Sequence, residues 1–72
     1  MKEQDSEQVY KQVEIVGSSS QGLDEAVQNA IARASTSLRN LRWFEVASIR
    51  GGIEDQEIRE WQVTIKLAFA LE

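Results

Sequence analysis

Few side chains in this 72-residue chain could do chemistry, because it contains neither histidine nor cysteine. The usual zinc and iron sites are therefore excluded, and no metal ligand set is predicted. A run of three serines has no histidine to activate it, which excludes a hydrolase triad. Gly17 and Gly22 have the spacing of a phosphate-binding loop, but Leu23 follows where that motif needs lysine. Catalysis is therefore not predicted, and aromatic and amide side chains are the remaining candidates for a functional site.

Trp43 is the most informative of these side chains. It belongs to the segment RWFEVASIRG, which has the alternation of a strand. Phe44 and Val46 are predicted to face the core, so parity places Trp43 and Ile49 on the opposite face. The same rule on the last strand places Gln62 on the face of Trp43. A large exposed aromatic marks an interface or a ligand site, and parity alone favours a subunit contact.

Four elements are predicted to position these residues. A strand is predicted over 9–16, a helix over about 21–39, and two strands over 42–51 and 57–71. The last two form a hairpin, with a bulge at Gly51-Gly52. The serine run and Gly17 before it indicate a turn. One stripe of apolar residues predicts the helix: Leu23, Val27, Ala30, Ile31, Ala34, Leu38 and Leu41.

Length and charge limit what such a fold can be. Residues 1–8 are predicted to be a frayed tail and residues 9–72 a single α+β domain. A core this small usually needs further stabilisation from disulfides, a metal or partner subunits. Because the chain has no cysteine and no predicted metal site, self-association is the means that remains. The net charge of −4 disfavours nucleic acid. No apolar run has the length of a membrane span or the form of a signal peptide, so a cytoplasmic protein without membrane contact is expected.

Taken in order, four segments resemble bacterial dodecins over about Tyr10 to Glu72. They are the strand VEIVGSSSQG, the helix LDEAVQNAIARASTSLRNL, the segment RWFEVASIRG and the closing WQVTIKLAFALE. The resemblance implies a β-α-β-β fold, in which a three-stranded antiparallel sheet wraps on one helix. It also implies a hollow homododecamer, built from trimers with tetrahedral symmetry.

The resemblance further implies a non-enzymatic protein that stores or buffers flavin. FMN, riboflavin or a related flavin would bind non-covalently, in pairs, between tryptophans of symmetry-related subunits. The stacking residue of the family matches Trp43, and the glutamine that hydrogen-bonds the flavin ring matches Gln62. A basic residue for the FMN phosphate matches Arg50, although a solvated arginine at a strand end explains Arg50 equally well.

Two other functions compete with flavin storage. In the first, the chain is a structural or interaction oligomer in which Trp43 is only an assembly contact. In the second, it is a flavin-dependent oxidoreductase, which ranks lowest because two stacked indoles leave little room for a substrate. Whether coenzyme A binds as a second ligand is left open by the sequence. The other tryptophan, Trp61, is predicted to belong to the core face.

Overall fold

The computed structural model describes residues 7–72, which contain four elements in the predicted order β-α-β-β. These elements are β1 (Tyr10–Ser19), α1 (Leu23–Ala34), β2 (Leu41–Glu54) and β3 (Glu57–Ala70). Most of the predicted tail lies outside the described residues, and its boundary with the domain stays a prediction. No helix within 7–72 is long and apolar enough to cross a membrane.

The three strands form one antiparallel sheet in the order β1-β3-β2, so the last strand lies at its centre. Helix α1 packs against β1 and β3 on one side, here called the inner face. The opposite side, the outer face, has no element of the described chain over it. The apolar residues of the inner face and the helix form the core: Ala26, Ala30, Val63 and Ile65, with Ile15, Leu23, Val27 and Ile31 packed against them.

Gly17 lies inside β1 and not in the turn that the sequence predicted. It is buried, and it lies against the middle of α1, at Ala26 and Ala30. A Cβ atom at this position would be 2.8 Å from the Cβ of Ala30 and would overlap sterically with the backbone carbonyl oxygen of Ala26. The glycine is therefore required by the close approach of helix and strand, which the small side chains of Ala26 and Ala30 allow from the other side.

Helix α1 ends at Ala34, five residues before the predicted end. The hydroxyls of Ser35 and Thr36 donate to the carbonyl oxygens of Ala32 and Arg33. Such short polar side chains compete with backbone hydrogen bonding and favour a turn over a further helical turn. Asn40, with a φ of 62°, then reverses the chain into β2. Asparagine tolerates this left-handed conformation better than most residues.

The β2–β3 hairpin is longer than predicted, because Gly51 and Gly52 remain paired within the sheet. The reversal takes place at Asp55 and Gln56, which have φ values of 55° and 67°. Positive φ at both central residues is the mark of a type I′ hairpin turn. The register shifts after Gly52, close to the predicted bulge, and a further bulge at Ala47 was not predicted.

Gln56 adopts a positive φ, which is unfavourable for a residue other than glycine, so replacing it with glycine should stabilise the protein. A residue with a Cβ atom in the left-handed region costs about 1–2 kcal/mol, and type I′ turns favour glycine at the second position. We expect Gln56→Gly to raise the free energy of unfolding by about 1 kcal/mol, measured by thermal melts at fixed protein concentration. Gln56→Ala, which keeps the Cβ atom, should bring no gain. An unchanged melting temperature for Gln56→Gly would contradict a strained turn.

Candidate functional site

Trp43 lies on the outer face of β2, directly opposite Ala68 of the central strand. A bulge at Arg42 precedes it, so Leu41 faces inward and Trp43 outward although they are two residues apart. The side chain of Trp43 is 44% exposed, a high value for tryptophan. The structure therefore agrees with the face that strand parity predicted for this residue.

Tyr10 is a second aromatic residue at this end of the outer face. It comes from the other edge strand, where it pairs with Ala70, and its ring meets Trp43 edge-to-face with centroids 4.8 Å apart. Between them the central strand carries Ala68 and Ala70, which are 0% and 6% exposed. Small side chains in the centre thus leave room for aromatic side chains from both edges to approach each other.

Sequence reasoning gave Tyr10 no role, although it placed the residue in a strand. Tyr10 and Trp43 are brought together only by the strand order β1-β3-β2, in which the last strand inserts between the first two. The signal that could have found this pair was the matching small residues of β3, alanine at 68 and alanine at 70. Two successive small residues on one face of a strand indicate that larger side chains from the adjacent strands cover that face.

Gln62 and Arg50 meet farther along the same face. They are direct cross-strand partners, and Arg50 Nε donates to Gln62 Oε1 over 2.8 Å. The amide nitrogen of Gln62 in turn donates to Glu60 Oε2, also over 2.8 Å. Glu60 was not singled out in the sequence, although the alternation of β3 places it on the same face as Gln62. The three side chains form one hydrogen-bonded row, referred to below as the Arg50–Gln62–Glu60 row.

A single chain does not bring Trp43 and this row together. Trp43 stands opposite Ala68, whereas Arg50 stands opposite Gln62, six residues away on β3. At roughly 3.3 Å per residue of strand, the separation along the sheet is about 20 Å. Trp43 and Gln62, which strand parity placed on one face, are therefore well separated along that face.

Ile49 lies on the inner face and not beside Trp43, which corrects the parity-based prediction. The bulge at Ala47 inserts one residue into β2, so that Ile49 pairs with Val63 of the core. An extra residue reverses the alternation of everything that follows it. The same bulge moves Arg50 onto the outer face, where it can reach Gln62.

With this change, the inner face of β2 becomes one side of an open apolar groove. Within residues 7–72, no Cα atom of helix α1 comes within 8 Å of one in β2, and a groove of about 720 Å³ lies between the two elements. Phe44, Val46 and Ile49 line the strand side and are each 43–53% exposed. Leu23, Val27 and Ile31 line the helix side. An apolar groove of this size is unusual on an isolated small domain.

Trp61, the other tryptophan of the chain, lies on the inner face as predicted. It pairs with Ser19 and Gly51 and is partly buried beside the start of α1. Its position leaves Trp43 as the tryptophan that the sheet presents outward. Within residues 7–72, no three His, Cys, Asp or Glu side chains are close enough together to hold a metal ion.

Comparisons with known proteins agree on one family. The family model Dodecin matches residues 9–72. A dodecin from Thermus thermophilus is 52% identical over 64 residues, covering 89% of this chain and 93% of its own. The structure of dodecin from Streptomyces coelicolor superposes with a TM-score of 0.90 at 52% identity, covering 93% of this chain and 96% of its own. Dodecin from Streptomyces davaonensis gives 0.87 at 48% identity, covering 90% and 96%.

Proposed function

Since the chain belongs to the dodecin family, we propose that it binds flavin without turning it over, and stores or buffers FMN or riboflavin. The observation that carries the proposal is Trp43, an exposed indole on a sheet face that the chain leaves uncovered. Flavin would lie non-covalently against the indole of one copy, at an interface with another. This arrangement needs no acid–base group, in keeping with a protein that is not an enzyme.

The chemistry of the outer face fits a flavin ring. The indole of Trp43 is flat and electron-rich, whereas the isoalloxazine ring is flat and electron-poor, so offset stacking is favourable. Aromatic pairs of this kind contribute about 0.5–1.5 kcal/mol beyond the area that they bury. Stacking also places an electron donor against the flavin, which would quench its excited state and its light-driven reactions.

The Arg50–Gln62–Glu60 row offers hydrogen-bonding groups for the polar edge of the flavin ring and for the phosphate of FMN. After its two hydrogen bonds, the amide of Gln62 keeps one N–H and one acceptor lone pair, which suit the alternating N–H and C=O groups of a flavin edge. Arg50 uses only Nε–H, so its four other N–H groups are available for the phosphate of FMN. Because the backbone of this row is about 20 Å along the sheet from that of Trp43, we propose that the two halves of each site come from different copies.

We propose self-association to a homododecamer as the state in which these sites form. The apolar groove between α1 and β2 supports association, because an isolated chain leaves half-exposed Phe44, Val46 and Ile49 in water. The hairpin tip supports it further, since the paired Ile53 and Ile58 are 77% and 59% exposed. Burying such surfaces between copies would supply the stabilisation that a small core lacks.

A charge placed in the groove should prevent assembly. Ile49→Glu puts a carboxylate on an apolar surface that we expect to be buried between copies, where an unpaired charge costs several kcal/mol. We expect the wild-type chain to elute in size-exclusion chromatography far above its 8.2 kDa mass, and Ile49→Glu to elute as smaller species. Ser37→Glu adds the same charge at an exposed turn and should assemble normally. A monomeric wild-type protein would contradict self-association.

Titration of FMN and riboflavin with the purified wild-type protein tests flavin binding. We expect flavin fluorescence to fall on addition of protein, because the stacked indole quenches the ring. Full fluorescence at high protein concentration would reject the proposal and favour an interaction oligomer in which Trp43 only contacts a neighbouring subunit. Turnover with nicotinamide donors would instead indicate an oxidoreductase. The cytoplasmic location and the absence of membrane and nucleic-acid partners stay predictions.

A further inference from the structure

We propose that Glu60 and Arg50 are positioning residues that hold the amide of Gln62 in a single orientation for ring recognition. The inference rests on the proposed flavin function and adds two residues to its recognition step. In this role Arg50 acts by orienting the Gln62 amide, which does not depend on a phosphate group in the ligand. Its effect should consequently appear even with a flavin that has no phosphate.

The geometry of the row carries this inference. A guanidinium N–H points at the oxygen of the Gln62 amide, and a carboxylate accepts from its nitrogen, each over 2.8 Å. Glu60 is partly buried and lies across Gly52, its cross-strand partner, which has no side chain to displace it. The two charged groups therefore approach the amide from a neighbouring strand and from its own strand, both on the outer face.

An unrestrained glutamine would recognise a flavin edge poorly. The two ends of its amide are nearly equal in size, so rotation by 180° exchanges donor and acceptor at little steric cost. Here the exchanged amide would turn its N–H₂ group toward the Arg50 guanidinium and its oxygen toward the Glu60 carboxylate. Both hydrogen bonds would be lost and replaced by repulsive contacts. The remaining N–H and lone pair thus have fixed places before a ligand arrives, which reduces the ordering cost of binding.

Lumiflavin is the probe that separates this task from phosphate binding, because it has the flavin ring but neither the ribityl chain nor the phosphate. We expect Glu60→Ala to weaken lumiflavin and FMN equally, by about tenfold, the effect of one hydrogen bond to a charged group. Glu57→Ala removes an equal charge from the exposed start of β3 and should change neither affinity. Glu60→Gln keeps the volume and an acceptor, so a smaller loss, about threefold, is expected.

Variants of Arg50 test the other end of the row. Arg50→Lys keeps the positive charge but lacks the guanidinium Nε–H that donates to Gln62. Lumiflavin should therefore bind about tenfold more weakly, while the preference for FMN over lumiflavin remains. Arg50→Ala should lose both the lumiflavin affinity and that preference. If Arg50→Ala and Glu60→Ala leave lumiflavin affinity within twofold of wild type, Arg50 and Glu60 do not position Gln62.

A double-variant comparison distinguishes action through Gln62 from a general structural effect. In a Gln62→Ala background, neither Glu60→Ala nor Arg50→Lys should weaken lumiflavin further, since the amide that they orient is gone. Equal losses with and without Gln62 would overturn the inference. Wild-type protein titrated with lumiflavin and FMN keeps the two proposals apart. If it quenches neither, the flavin function itself fails, whereas normal wild-type binding with unaffected variants removes only the positioning role.

Discussion

Replacing Trp43 with alanine should weaken FMN binding by about a hundredfold. Loss of the stacking partner removes about 1 kcal/mol of aromatic pairing and about 2 kcal/mol of buried apolar area, and 1.4 kcal/mol corresponds to a factor of ten in Kd. Fluorescence titration measures the effect directly, and the assembly should persist because Trp43 lies outside the apolar groove. Flavin bound to another part of the surface would instead keep its affinity in this variant.

Two conservative variants make this prediction specific. Trp43→Phe keeps an aromatic face of smaller area, so we expect binding about tenfold weaker than in wild type. Trp61→Phe changes the other tryptophan, which lies on the inner face beside α1, and should leave FMN affinity unchanged. A loss of binding in Trp61→Phe as large as in Trp43→Phe would indicate that folding, and not stacking, governs the titration.

Replacing Gly17 with alanine should cost about 3 kcal/mol of stability, the upper part of the usual range for overpacking a core. The added Cβ atom would clash with the backbone of α1 at Ala26, and a backbone carbonyl cannot rotate away as a flexible side chain can. Urea denaturation at fixed protein concentration should show a much lower midpoint. Gly52→Ala is the matched control, because its Cβ atom would be 3.6 Å from Glu60 Cγ, an ordinary contact.

A second substitution identifies which contact is responsible. Adding Ala30→Gly to Gly17→Ala removes the close side-chain neighbour but leaves the carbonyl of Ala26 in place. We expect little recovery of the urea midpoint in the double variant, because glycine also weakens the helix by about 1 kcal/mol. Full recovery would show that Ala30, and not the backbone of α1, limits the space at residue 17. An unchanged midpoint in Gly17→Ala would contradict the close approach of helix and strand at this residue.

Local sequence patterns were sufficient for the order of elements and for the face of Trp43. The alternation in β3 and the helical stripe from Leu23 to Ile31 each relate residues that are only a few positions apart. Both patterns are therefore visible in the sequence without knowledge of the tertiary structure. The ordered set of dodecin-like segments identified the family, which the comparisons confirm. The roles of Trp43, Gln62 and Arg50 stay predictions for binding experiments.

Only the tertiary structure decided which residues meet, because contacts between strands depend on register and bulges. The bulge at Ala47 moved Ile49 to the inner face and Arg50 to the outer one, against simple parity. The close packing of α1 on Gly17 and the hydrogen bond between Arg50 and Gln62 also join residues distant in the chain. The sequence by itself thus determined the elements and the exposed indole. The cross-strand register decided that the Arg50–Gln62–Glu60 row lies about 20 Å along the sheet from Trp43.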